Sequence, residues 1–462
     1  MIAERGIKMK NTTNMTQGSI LKKLILFSIP ILLGNVFQQL YNVADTAIIG
    51  NVLGDKAIAA VGAAAPVYNL VIGLSLGLTN GFAVIIARFF GAGDERSLKR
   101  SVALTYCLSG ITAVVMTAAS LIGLRPLLRA LNTPSDIIGD TQSYMRIIMA
   151  FSVLTIAYNM LAGMMRAIGN SKAPLYFLIV SCFANIGLDI LFVKFLGLGV
   201  AGAAYATVIS QGLSVVMCFI YALKKCSFLI FKRKHFHMDK HLIGELASTG
   251  ISMGLMFAIV SVGSVILQSA VNGFGTTTIT SHSAARKLDE MFMMPMSTMA
   301  MAVSTFTSQN YGAGKVDRVR RGIRYGFILT AAWSVVSIFV CVVFCRPLIH
   351  LITGTTDSEV LAVSARYIRW NVPFFFVLGV LVVLRSSLQG VGKKLIPIMG
   401  SVVEFALKAL VVMVLAPKLG YFGVCIVEPI IWTVCAGIVV ADYALFLRGS
   451  SQQRGLSEAA AV

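Results

Sequence analysis

Gly91-Ala92-Gly93 and Gly312-Ala313-Gly314 are the same tripeptide 221 residues apart, each set between a long apolar run and a basic stretch. Other landmarks recur at nearly the same separation. Arg125-Pro126-Leu127 matches Arg346-Pro347-Leu348 (221), Tyr144-x-Arg146 matches Tyr367-x-Arg369 (223), Gly169 and Pro174 match Gly392 and Pro397 (223), and Gly199 and Gly202 match Gly420 and Gly423 (221). A register held over so much of the chain is that of one unit written twice. Duplicated multi-span halves are a common plan of secondary transporters, in which two similar bundles rock about a shared site. The repeat directs the search for function to a site between the halves.

The chain has 462 residues, 57% hydrophobic and 13% charged, a composition outside the soluble globular range. The expected fold class is an all-α polytopic membrane protein. Apolar stretches able to cross a hydrocarbon core of roughly 30 Å lie near 24–49, 57–87, 102–124, 141–165, 174–196, 199–223, 244–271, 277–308, 323–345, 361–386, 395–417 and 421–446. These are twelve transmembrane helices in two pseudo-symmetric six-helix lobes. The corresponding organisation is an N-terminal segment 1–23, a first lobe 24–223, a linker 224–243, a second lobe 244–446 and a tail 447–462. Stretches 57–87 and 277–308 exceed the ~20 residues of a crossing, so they are expected to tilt, bend or project.

A net charge of +20 would suggest nucleic acid in a soluble chain, but here charge is sorted by loop. With the N-terminus cytoplasmic, 27 of the 39 Lys and Arg fall on inner segments, Arg5, Lys8, Lys10, Lys22 and Lys23 at the start and Arg448 and Arg454 at the end among them. Both termini are then inside a cell membrane, and the halves are related by an axis along the membrane normal. No nucleic-acid partner is expected. Met1 to Lys23 is polar and basic without a small-residue cleavage site before the long first apolar run, which reads as a retained span. The eight cysteines form no C-x-x-C pair and read as packing residues. The stretch Lys224 to His241, with Lys232-Arg233-Lys234, His235 and His237, reads as a basic linker against anionic headgroups rather than a metal site.

An ionisable group within a span is costly and should face a cavity or a partner. The first half offers Asp45, at the end of a run that contains Gln38, Tyr41 and Asn42, with Pro30 fifteen residues upstream. It also offers Asp189, one helical turn after Asn185, so that both project from one face. Asn159, Tyr144, Thr207 and Gln211 are further polar groups. Two carboxylates close together in a low-dielectric pocket must share a proton, bind Na⁺, or sit apart with separate partners. The competing reading makes Asp45 a snorkelling residue and Asp189 a satisfied core acid. In the second half Arg286 is placed to neutralise Asp289 (i+3) and Glu290 (i+4), and Glu404 to pair with Lys408. Ile266 stands opposite Asp45. Met291, Met293, Met294, Met296, Met299 and Met301 crowd one span as filler or as an adaptable wall. No phosphate-cradling G-x-x-x-x-G-K-[ST] motif is present, and no nucleophile–base or metal cluster suggests an enzyme.

Taken together, several motifs resemble the multidrug and toxic compound extrusion (MATE) transporters from about Gly18 to Leu447. They are Pro30 with Gln38 and Tyr41-Asn42-x-x-Asp45, Gly91-Ala92-Gly93, Arg166-Ala167-x-Gly169-Asn170, Asn185-x-x-x-Asp189 and Gln309-Asn310-Tyr311-Gly312-Ala313. The resemblance is nearest the prokaryotic DinF-like branch. It implies export of organic cations and drugs in exchange for H⁺ or Na⁺, with no cofactor or metal and a monomeric chain in contact with membrane lipids. It implies a cation site made by Asp45, Asn185, Asp189, Ala203 and Thr207, a cavity lined by Gln38, Tyr41, Tyr144 and Asn159, and a helix that kinks at Pro30. A glutamate in the seventh span, typical of the NorM branch, is represented only by Glu245 at that span's edge. The alternative is a flippase for lipid-linked oligosaccharides, which would favour a cationic central cavity.

Overall fold

The computed structural model describes residues 13–130, 133–232, 235–236 and 239–459, without the side chains of residues 130 and 448–459. Arg5, Lys8, Lys10, Arg233, Lys234 and His237, and the side chains of Arg448 and Arg454, lie outside the described residues. Within the described residues all regular structure is helical. A helix satisfies its own backbone polar groups, which hydrocarbon cannot do.

Ten helices or unbroken helical runs are long and apolar enough to span a bilayer, and the bent pair Ile138–Ala150 and Ser152–Ala167 makes an eleventh. Thr276–Gly312 is the twelfth, 37 residues long and interrupted by Arg286, Lys287, Asp289 and Glu290. The elements of the first half are α1 (Ile20–Leu53), α2 (Asp55–Ala92), α3 (Glu95–Ala130), α4 (Ile138–Ala150), α5 (Ser152–Ala167), α6 (Lys172–Asp189) and α7 (Gly199–Lys225). Those of the second are α8 (Lys240–Asn272), α9 (Thr276–Gly312), α10 (Val316–Val343), α11 (Cys345–Thr353), α12 (Ser358–Asn371), α13 (Phe375–Gly390), α14 (Leu395–Leu410), α15 (Ala416–Leu419), α16 (Tyr421–Cys425) and α17 (Val427–Ala459). The chain divides into two compact units, one containing Ile25–Ala258 and the other Ile259–Val462 with Thr16–Leu24.

The sequence repeat is also a backbone repeat. Gly54 and Gly275 (φ 84° and 87°), Gly93 and Gly314 (73° and 70°), Gly169 and Gly392 (88° and 91°), and Gly199 and Gly420 (59° and 61°) all adopt left-handed φ at matching positions. Only glycine does so without strain. The fourth span of the first half breaks at Phe151 with a 48° bend. Its counterpart runs from Ser358 to Gly390 without such a break, through a 3₁₀ turn at Val372–Phe374 where Pro373 cannot continue the hydrogen-bond ladder; the first half bends without a proline. Both fifth spans widen into a π-helical turn, at Ile190–Phe195 and Val411–Leu415. Such turns add a residue to the ladder and re-aim side chains, often at functional positions. α1 runs as one helix through Pro30.

In the first unit, one core joins α2, α4 and α7 through Val67, Met145, Met149, Ala203 and Ala204. A second, around Met164, Met165, Ile168, Cys218 and Phe228, packs the opposite end of the helices. Seven cysteines are buried and Cys107 is exposed, all eight as free thiols. In the methionine-rich stretch of α9, Met296 is buried and Met291 exposed. Glycines set the tightest approach: Gly77 and Gly81 on α2 face Gly254 and Gly250 at the start of α8. A methyl group added at Gly81 would lie 2.6–2.7 Å from backbone atoms of Gly250 and Thr249. Small residues four apart let helix backbones meet in a membrane. Beside this seam Arg88 is paired with Glu245, so the lone acid at the edge of the seventh span is a salt-bridge partner.

Gly81→Ala is expected to destabilise the folded protein by about 1–3 kcal/mol, the usual range for overpacking, because only backbone could yield. Gly62→Ala on the same helix, with open space around it, is expected to be neutral or to gain up to ~1 kcal/mol from helix propensity. Thermal unfolding of the two variants in detergent checks the contrast.

A candidate cation site in the first unit

α1, α6 and α7 bring the sequence-predicted residues together. α6 carries Asn185 and Asp189 on one face because they are four residues apart, and α1 presents Asp45. Asn185 and Asp189 are 0% exposed and Asp45 7%. The Asp45 and Asp189 carboxyl groups meet directly. Neither oxygen of Asp189, nor Oδ1 of Asp45, nor either polar atom of the Asn185 amide has a hydrogen-bond partner. The reading that made Asp45 a snorkelling residue and Asp189 a satisfied core acid therefore fails. Leaving a buried carboxylate unpaired costs several kcal/mol, and a pair of carboxyl groups so placed disfavours ionisation of both.

Three tyrosines surround the pair. Tyr41, Tyr68 and Tyr144 all lie within electrostatic reach of Asp45, and Tyr144 within reach of Asp189. The Tyr41 and Thr207 hydroxyls are 2.8 Å apart and hydrogen-bonded, which ties α1 to α7. Ala203, one turn from Thr207, is fully buried. Oxygen-rich surroundings of this kind suit a hard cation.

A pocket of about 460 Å³, counting its open mouth, lies one to two helical turns away toward the start of α1. Phe37, Gln38, Tyr41, Tyr68, Tyr158 and Gln211 contribute much of its lining, and Thr207, Ser181 and Ser210 add hydroxyl groups. No side chain in that lining is an acid or a base. The Thr155 hydroxyl donates to Gln211 Oε1 at 2.6 Å, and Ser181 donates to the Ser210 carbonyl. The Tyr41–Thr207 bond thus separates an acidic compartment from an aromatic, hydroxyl-lined one. Asn159, one turn beyond Thr155 on α5, is buried but outside the pocket lining. Tyr68 and Tyr158 are lining residues that sequence reasoning missed. Tyr68 sits in a helix that is apolar on nearly every face, where periodicity gives little inward direction.

The second unit differs from expectation in one pairing. Arg286 reaches Glu290 at 3.7 Å and Glu428 at 3.5 Å, while both Asp289 oxygens are without a hydrogen-bond partner. α17 supplies Glu428 from far along the chain, a partner that local i+3 spacing could not reveal. Lys408 and Glu404 pair as expected, at 3.1 Å.

Removing either hydroxyl of the Tyr41–Thr207 pair is expected to cost about 0.5–1.5 kcal/mol, the net worth of such a bond. Tyr41→Phe and Thr207→Val combined should cost less than the sum of the two. A double-mutant cycle in thermal stability measures that coupling; strictly additive losses would mean the bond is not formed.

Comparison with known proteins agrees with this architecture. The MatE family model matches twice, over residues 30–191 and 253–415, once in each half of the repeat. The chain is 29% identical over 394 residues to the probable multidrug resistance protein YpnP of Bacillus subtilis (strain 168), covering 85% of this chain and 87% of that protein. Among solved structures it is similar to a MATE protein in the bent conformation, with a TM-score of 0.87 at 23% identity, covering 98% of this chain and 100% of that one. An outward-facing multidrug resistance MATE family transporter of the MOP superfamily gives a TM-score of 0.85 at 22% identity, with 97% and 100% covered. With the family model matched in both halves, the chain belongs to the MatE family, the multidrug and toxic compound extrusion transporters.

Proposed function

We propose that this protein is a cation-coupled antiporter that exports organic cations and drugs across the cell membrane, exchanging them for H⁺ or Na⁺ at Asp45 and Asp189. The observation that carries the reading is the contact between these two buried carboxyl groups, which have no donor to satisfy them. Family membership and relatives named as multidrug resistance and multidrug export proteins support the substrate class. The aromatic, uncharged pocket suits a flat apolar cation, which binds by ring contact and by the nearby negative charge rather than by a fixed hydrogen-bond code. Both termini face the cytoplasm, by the excess of Lys and Arg on the segments that this orientation places inside.

The exchange follows from charge. With the acid pair ionised, its field favours an organic cation in the adjoining pocket. Entry of H⁺ or Na⁺ neutralises the pair and removes that attraction. Tyr41 lies one turn from Asp45 on α1 and is tied to Thr207, so a rearrangement at the acids alters the wall that the two compartments share. A bend of α1 near Pro30, where the helix lacks one backbone donor, then closes the pocket and expels its contents. Drug and coupling ion are linked through their opposite preferences for the two states. A flippase for anionic lipid-linked sugars gains no support from the second unit, where the partly buried Arg286 and Arg385 and the buried Lys408 are each paired with a carboxylate.

Efflux of a fluorescent organic cation from proteoliposomes, with a Na⁺ gradient and a pH gradient imposed separately, tests the proposal. Wild-type protein is expected to respond to one gradient, and Asp189→Asn to lose at least tenfold in driven rate with normal insertion. Full driven efflux in Asp189→Asn would reject the assignment.

A further inference from the structure

We propose that the second unit carries a proton-binding site of its own, centred on Asp289, at the place the internal repeat makes equivalent to the acid site of the first unit. The equivalence rests on offsets that hold along whole helices. α2 and α9 are in register at 221 from the glycines before them, Gly54 and Gly275, to Gly93 and Gly314, which sets Asp289 opposite Tyr68. The 223 offset sets Tyr367 opposite Tyr144. From Pro174 and Pro397, the same offset sets buried Lys408 opposite buried Asn185. From Gly199 and Gly420, the 221 offset sets Glu428 opposite Thr207. Of four positions that surround or form the first site, one keeps its tyrosine and three are re-equipped with Asp, Lys and Glu.

These residues also meet in space. Arg286 lies 3.5 Å from Glu428, Lys408 lies 3.5 Å from Glu428 and 3.1 Å from Glu404, and Arg385 lies 3.9 Å from Glu404. Adding the Arg286–Glu290 pair, three cations are matched by three carboxylates, and Asp289 is the charge left over. It is 0% exposed, and neither of its oxygens has a hydrogen-bond partner. Around it stand Arg286 and Glu290 on its own helix, Cys341 on α10, Tyr367 on α12 and Glu428 on α17, with Cys345 of α11 behind Cys341. Lys408 of α14 and Arg385 of α13 are turned to Glu404 and Glu428. His282, packed edge-on against Tyr367, is engaged with the Tyr421 hydroxyl.

An unmatched carboxylate so deeply buried is costly, and a proton removes the charge without needing space. A bare metal cation is a poor fit, since it wants about six oxygen ligands and the other carboxylates here are engaged. Taking up a proton leaves the network neutral; losing it places one uncompensated negative charge among α9, α12 and α17. The second unit therefore senses protons independently of Asp45 and Asp189, and the inference stands whether or not the antiport reading does.

Infrared difference spectra of the purified full-length protein, taken between acid and alkaline pH, test it. A protonated-carboxyl band that titrates is expected in wild type, is expected to persist in the Asp45→Asn/Asp189→Asn double variant, and is expected to be lost in Asp289→Asn. Asp289→Glu, which keeps the acid, should shift that band, and this holds the test open if Asp289→Asn does not fold. An Asp289→Asn spectrum superimposable on wild type, an Asp289→Glu spectrum without a shift, or loss of the Asp289 band on adding Na⁺ at constant pH would overturn the proposal. A failure of driven efflux in Asp189→Asn concerns the other site and leaves this result unaffected.

Discussion

Two carboxyl groups in contact inside a membrane-spanning bundle impose a demand that the surrounding helices cannot meet alone. Among the described residues no arginine or lysine pairs with Asp45 or Asp189, and the Asp189 oxygens have no donor. Much of the first unit is arranged about this fact. α1 and α6 supply the acids, and α7 is tied to α1 by the Tyr41–Thr207 hydrogen bond. A π-helical turn begins directly after Asp189. The Tyr41–Thr207 bond then gives the pair a wall shared with the pocket.

The duplicated scaffold makes the chemistry of its two copies comparable. Turn glycines and the π turn recur in both halves, so backbone geometry has been kept while the interior has diverged. The first unit leaves its acids unmatched and its pocket uncharged. The second fills the equivalent region with Arg286, Lys408, Glu404 and Glu428 in mutual pairs. A buried ion network of this kind adds little net stability over apolar packing, but it fixes which helices meet. Only Asp289 remains outside the balance.

Fold class was legible because hydrophobic runs and a 221–223 residue register are long-range signals that survive without knowledge of side-chain direction. The acids were legible for a related reason: a charge inside an apolar run is rare, and Asn185 and Asp189 share a face by spacing alone. Tyr68 was not, since a helix apolar nearly all round gives little cue to which aromatic faces a cavity. The pairing of Arg286 with Glu428 was hidden because a local candidate, Asp289, stood three residues away. The bend at Phe151 carries no proline to mark it, whereas Pro373 marks a 3₁₀ turn in a span that is not broken. The π turns were invisible, as nothing in Ile190–Phe195 or Val411–Leu415 distinguishes them from ordinary apolar helix.

The central claim is that an organic cation and a coupling ion compete through the Asp45/Asp189 pair, and the most direct measurement is ion release on drug binding. Weakly buffered, purified protein is titrated with a hydrophobic cation while proton release is followed by indicator dye and Na⁺ release by a sodium-selective electrode. The account predicts that wild type gives up about one ion per bound drug and that Asp189→Asn binds drug with no release. Drug binding without release in wild type, or undiminished release in Asp189→Asn, would contradict it.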